Sequence, residues 1–162
     1  MRVDVMARMR GVDAFPRLWK RRTTIELPDG TLCDLLSLPD LVQAKKTQRD
    51  KDWPMIRRLV EAHYFRHGDQ PSPAQISFWL LELRTPQLLI EVARNHPALC
   101  RRLARKRPLL KRIASGRTAG LQRALDVEET AERERDRRYW IPLRKELETL
   151  RHAKMKGSQK IK

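Results

Sequence analysis

Apolar residues recur along this chain at two different periods, and the change from one to the other marks its organisation. Near the start, Val3 and Val5 alternate with Asp4. The runs Thr23-Thr-Ile-Glu-Leu27 and Thr31-Leu-Cys-Asp-Leu-Leu36 are rich in β-branched and large apolar residues. Pro28-Asp-Gly30 lies between them, and Asp-Gly between two such runs favours the tight turn of a hairpin. Three short strands are therefore predicted before residue 37, two of them paired. Gly11 to Trp19 reads as a loop entering a short amphipathic turn, with Phe15, Leu18 and Trp19 as expected core.

From residue 38 the apolar spacing lengthens to three and four, the period of a helix that buries one face. Ser37 stands three residues before Asp40, the spacing at which a hydroxyl and a carboxylate cap each other's backbone N–H groups. Pro39 falls in the first turn, where its missing donor costs nothing. Leu38, Leu41, Val42 and Ala44 follow, and Thr47 to Asp52 breaks the pattern. Asp50 or Asp52 is placed to cap a second helix carrying Trp53, Ile56, Leu59, Val60 and Tyr64. Ser72-Pro73 opens the most hydrophobic stretch, with Ile76, Phe78, Trp79, Leu80, Leu81 and Leu83. Pro86, Pro97 and Pro108, evenly spaced, with Leu88, Leu99 and Leu110 in equivalent places, read as the starts of three short stacked helices or as one helical path with two kinks. Helices so short persist only when packed on one another.

Gly116 and Gly120 separate these from a long helical pattern that runs from Leu121 to Leu150. Glu128 to Arg138 alternates acid and base, as in a solvated brace. Pro142 is expected to kink it. The fold class is α+β and predominantly α-helical. A small antiparallel β remnant packs on helices, and a basic helical C-terminal extension follows. Boundaries are expected at residue 70 and residue 153, the last stretch, 154–162, being a disordered basic tail.

Charge changes this picture. The 162 residues carry 36 Lys and Arg against 20 Asp and Glu, a formal charge of +16. Residues 96–162 hold 20 of the cations and 8 of the acids, so the excess is concentrated there. Such an excess suits a polyanionic partner, RNA or DNA above all, and equally a solvated helix surface. The densest cluster is Arg101, Arg102, Arg105, Lys106, Arg107, Lys111 and Arg112. It has no aromatic residue among its charges, so it offers backbone neutralisation without a base-stacking platform. A second group, Lys45, Lys46, Arg49 and Lys51, converges on the break between the first two helices and reads as a seat for phosphate.

Other chemistry is sparse. Cys33 and Cys100 belong to no CxxC and read as reduced thiols. His63 and His67 have i, i+4 spacing but no further metal-binding motif, and read as ordinary histidines. The sequence has neither a span of roughly 20 apolar residues nor a signal-peptide pattern, so no membrane partner and a cytoplasmic location are expected.

Arg2-Val-Asp-Val-Met6, followed by Phe15 and Trp19, the hairpin ending Leu35-Leu36-Ser37, Leu38-Pro-Asp-Leu-Val-Gln-Ala-Lys45 and Arg49-Asp-Lys-Asp52, resembles a bacterial nucleotidyltransferase domain. The resemblance is to the minimal, toxin–antitoxin-associated kind and covers residues 1 to about 65. It implies that Asp4 corresponds to a carboxylate of the metal site, and so to a catalytic ligand of Mg2+. It implies that Lys45, Arg49 and Lys51 approach a nucleoside triphosphate, and that Asp52 is a helix-capping acid beside them. RNA or a protein would be the acceptor. Metal ions held by several carboxylates would activate the acceptor hydroxyl while cations offset the triphosphate charge. The family's Gly-Ser helix and Asp-x-Asp pair would lie before Asp4, where only Met1-Arg2-Val3 stands. A single carboxylate does not hold two magnesium ions. The resemblance therefore implies a truncated form, inactive without a complementing N-terminal chain. Two other readings stand beside it: a basic helical nucleic-acid-binding module built on residues 101–138, and a helical interaction protein of toxin–antitoxin type.

Overall fold

The structure, a computed structural model, describes the backbone of residues 9–159 and the side chains of residues 9–152. The fold is α+β and predominantly helical. In chain order come α1 (Phe15–Lys20), β1 (Thr23–Glu26), β2 (Leu32–Leu35), α2 (Leu38–Lys45), α3 (Asp52–His67), α4 (Pro73–Glu82), α5 (Pro86–Asn95), α6 (Pro97–Leu103), α7 (Leu109–Ala114) and α8 (Leu121–Gln159). The strand expected at Arg2–Met6 lies outside the described residues.

The hairpin follows its turn chemistry. β1 and β2 pair antiparallel with Thr23 opposite Leu35 and Glu26 opposite Leu32. Gly30 takes a φ of 79°, a left-handed conformation that only glycine adopts without strain. Every β1 residue is exposed, and in β2 only Cys33 is half-buried. Polar pairing fixes the hairpin instead. Asp34 accepts from Thr24 Oγ1 at 2.6 Å and from Arg22 Nε at 2.9 Å. The Thr24 hydrogen bond and the Arg22 guanidinium hold the Asp34 carboxyl below its usual range.

Of the three core residues expected in α1, only Leu18 is buried. Phe15 is 66% exposed and Trp19 45%. A helix of six residues presents one inward position, and Leu18 takes it. The two rings lie 5.6 Å apart, and the Arg22 guanidinium sits 4.2 Å over Trp19.

Ser37 caps α2 by accepting from the Asp40 backbone N–H. The reciprocal half of that box does not form. Asp40, short by one methylene compared with glutamate, accepts from Ser37 Oγ and from both Nε and Nη2 of Arg21 at 3.0 and 2.7 Å. A complete reciprocal box appears instead at Ser72 and Gln75, opening α4.

α2 to α7 and the first turns of α8 share one hydrophobic core. Val42, Ile56, Val60, Leu80, Leu83, Leu89, Leu110 and Leu125 are almost fully enclosed in it, and Trp79 is the largest side chain so enclosed. Full burial of each such side chain contributes about 1.5–3 kcal/mol. Because the cluster runs through both sides of Gly68–Pro73, that loop joins helices of one core.

The proline-led helices form as predicted, with one change of phase. Pro86 and Pro97 occupy the first turns of α5 and α6, but Pro108 is the residue before α7. One residue rotates a helix by about 100°. Leu110 is accordingly buried while Leu88 and Leu99 are half-buried at the rim. α8 contains Pro142 and extends to Gln159, into the stretch expected to be a disordered tail. Only its first turns enter the core. Beyond Asp136, Tyr139, Leu143, Leu147 and Leu150 are exposed, Leu143 and Leu147 on a hollow shared with Met9, Ala44 and Thr47.

Candidate functional site

The α2–α3 elbow brings Lys45, Arg49 and Asp52 together. Lys51 sits beside them with its side chain exposed. Asp52 does not cap α3 through its side chain. It is the first residue of the helix, after Lys51, and its carboxylate is turned inward with only 1% of the side chain exposed. It accepts from Thr47 Oγ1 and from Arg49 Nε at 2.9 Å, and Lys45 Nζ lies 3.6 Å away. Burial by itself would raise its pKa. The Thr47 bond and the Arg49 and Lys45 charges overrule that and hold the carboxyl below its usual range.

The rest of the elbow is closed in the same way. Lys46 Nζ donates to Glu82 at 2.8 Å, and Gln43 donates to the same carboxylate at 2.7 Å. The buried Asp136 carboxylate of α8 accepts from Arg10 Nε and the Gln48 backbone N–H, both at 2.9 Å, and from Trp140 Nε1 at 3.1 Å. Asp50 pairs with Arg133. Three of the four cations expected to receive phosphate are therefore paired with carboxylates of this chain. Asp4 lies outside the described residues. Among the described residues, no group of three or more His, Cys, Asp and Glu is close enough to hold a metal ion.

The second cluster has a different character. α6 and α7 pack side by side, so residues separated by ten positions in sequence share one surface. Arg101, Arg105 and Lys111 line a shallow hollow of about 380 Å³ floored by Ala104 and Ala114. Arg102 and Lys106 are exposed beside it. Arg112 is half-buried and donates from Nη2 to the Ala119 carbonyl at 2.9 Å. Among the described residues, Arg101, Arg102, Arg105, Lys106 and Lys111 form no ion pair with a carboxylate (salt bridges formed elsewhere in the chain involve other cations).

Arg107 does not belong to this surface. Its side chain turns into the protein, where Nη1 donates to the Leu80 and Leu83 carbonyls at 3.0 Å and the rest of the guanidinium grips Glu128 at 2.8–3.3 Å. It thus satisfies carbonyls at the C-terminal end of α4, which the helix leaves without partners. Beside it lies Arg84, which the sequence pattern does not single out. Arg84 stacks on Trp53 at 4.9 Å and lies 3.9 Å from Glu128. An arginine at the end of a very hydrophobic helix was the only available signal, and it is a weak one.

The histidine pair is not a pair of ordinary surface side chains. His63 is half-buried, its ring stacks near His67, and its Nδ1 accepts from Trp79 Nε1 at 2.9 Å. Burial, followed by the charges of His67 and Arg66, lowers its pKa. Cys33 and Cys100 are both free, and burial raises the Cys100 thiol. No helix among the described residues is long and apolar enough to cross a membrane. No protein-family model, no curated protein and no solved structure matches this chain.

Proposed function

We propose that this protein binds nucleic acid through the basic face of α6 and α7, neutralising backbone phosphates without reading base sequence. One observation carries the reading: Arg101, Arg105 and Lys111 surround a shared hollow with no carboxylate among its lining residues. Cations already paired within a fold gain little from a new anion. Cations left together and solvated neutralise backbone phosphates and release the counterions condensed on the nucleic acid. The small floor of Ala104 and Ala114 lets a backbone approach the helices closely. Among the cluster residues there is no aromatic side chain for stacking, which favours phosphate contact over base recognition.

The nucleotidyltransferase likeness is the less supported reading, because Lys45, Arg49 and Lys46 are engaged by Asp52 and Glu82. The test is fluorescence anisotropy with single- and double-stranded RNA and DNA oligonucleotides over a salt series. Affinity should fall steeply with salt, and the triple variant Arg101→Ala/Arg105→Ala/Lys111→Ala should flatten the log–log slope by up to about 3. Binding that is absent at low salt, or a slope the triple variant leaves unchanged, would refute the proposal.

A further inference from the structure

A cleft of about 350 Å³ opens between the C-terminal end of α4, the turn before α7 and the first half of α8. Its walls include the cations Lys46, Arg84, Lys106, Arg107 and Arg135 and the carboxylates Glu82, Glu128 and Glu132. The balance is an excess of two positive charges in a partly enclosed space. Lys46 and Arg107 are matched by Glu82 and Glu128. Glu132 lies 2.9 Å from Arg135 and 3.8 Å from Arg10.

Arg84 is left over. Its side chain is 7% exposed, its nearest carboxylate oxygen is 3.9 Å away, and that oxygen already serves Arg107. Nε and Nη1 of Arg84 are enclosed with no hydrogen-bond partner. A buried guanidinium whose donors are unmatched is unfavourable by itself, and two neighbouring arginines sharing one glutamate make it more so. Burial and then the Arg107 charge lower the Arg84 pKa, which shows the direction of that penalty.

We propose that this cleft binds a phosphate group, with Arg84 as the donor that the fold leaves unmatched. Three features favour phosphate. A guanidinium edge, Nη2 together with either Nε or Nη1, matches two oxygens of a tetrahedral oxyanion. A phosphate monoester carries close to two negative charges at neutral pH, equal to the excess in the lining. Lys106 and Arg135 add exposed positive charge at the rim, while Leu81 and Val127 give the ligand an apolar wall. Free phosphate and the phosphorylated end of a nucleic acid share this chemistry. Lys106 stands both in this cleft and beside the α6–α7 face, so the second source would join the two surfaces.

The test is isothermal titration of sodium phosphate into the full-length protein at pH 7.5 or so, with ionic strength held constant by sodium chloride and sodium acetate as a control. The expected result is saturable phosphate binding, weakened about tenfold or more in Arg84→Gln, since a hydrogen-bonded charge is removed. Arg135→Ala should weaken it by a smaller factor, and Arg94→Ala, exposed on α5 and lining neither basic surface, should leave it unchanged. If Arg84→Gln does not fold, Arg135→Ala and Lys106→Ala decide the outcome. Oligonucleotides with and without a 5′-phosphate then distinguish the sources. Tighter binding of the phosphorylated form assigns the cleft to a nucleic-acid end, and equal binding with retained affinity for inorganic phosphate assigns it to the free ion. Absence of saturable phosphate binding by the folded protein would overturn the proposal. So would binding indifferent to substitution at Arg84, Arg135 and Lys106, or acetate binding as tightly as phosphate. Failure of nucleic-acid binding alone would count against the α6–α7 reading and leave the cleft standing.

Discussion

Asp52→Asn separates a carboxylate that builds the elbow from one kept for binding. The native side chain is almost wholly enclosed and accepts from Thr47 and Arg49, with Lys45 nearby. A hydrogen bond to a buried charged group contributes about 1.5–3 kcal/mol. The Arg49 side chain is 55% exposed and Lys45 30%, so much of their attraction is screened by water and both regain hydration when the charge is removed. Asparagine keeps one acceptor oxygen but presents an amide N–H₂ toward donors. Together these terms give a loss of about 2 kcal/mol at neutral pH. For a chain of this size each kcal/mol lowers Tm by about 2–4 °C, so a fall of about 4–8 °C is expected. The pH dependence has a definite sign. The folded pKa lies below the unfolded value, so the stabilisation is complete above about pH 4 and is lost as pH falls through the folded pKa. Thermal unfolding followed by circular dichroism at several pH values checks both. The reasoning fails if Asp52→Asn matches the wild type at neutral pH, or if the gap between them persists in strong acid where both side chains are uncharged.

Arg107→Ala should destabilise by about 2–4 kcal/mol in urea unfolding, because it leaves the Leu80 and Leu83 carbonyls without a donor and Glu128 with only the more distant Arg84, whereas Arg105→Ala should stay within about 0.5 kcal/mol. Asp136→Ala removes the acceptor for Arg10, the Gln48 backbone and Trp140, and is expected to cost about 3 kcal/mol or more, with increased hydrogen exchange in the α2–α3 elbow. His63 should titrate below the usual histidine range in an NMR pH series. Because its folded pKa is depressed, its share of stability is complete above about pH 6.5 and declines as pH falls through the folded value. An ordinary titration curve for His63 would contradict its acceptance of the Trp79 N–H.

Local sequence determined the elements. Asp29-Gly30 specifies the hairpin, Ser72 with Gln75 starts α4, and the prolines begin the short helices, because each of these depends on backbone chemistry within a few residues. The apolar period likewise marked Val42, Ile56, Val60, Leu80 and Leu83 as residues that need a core. Tertiary structure decided how the charges are used. Arg107 and Arg105 are close in the same basic run, yet one turns inward to Glu128 and the other remains in solvent. Their difference comes from residues far away in sequence that α4 and α8 bring alongside. The elbow behaves similarly: Lys46 finds Glu82 of α4 and Gln48 finds Asp136 of α8 across separations no sequence period encodes. A run of cations records how much charge a chain carries. Whether that charge meets a carboxylate of its own or remains available to a phosphate is fixed only when the helices pack, because pairing depends on distance and desolvation rather than on order along the chain.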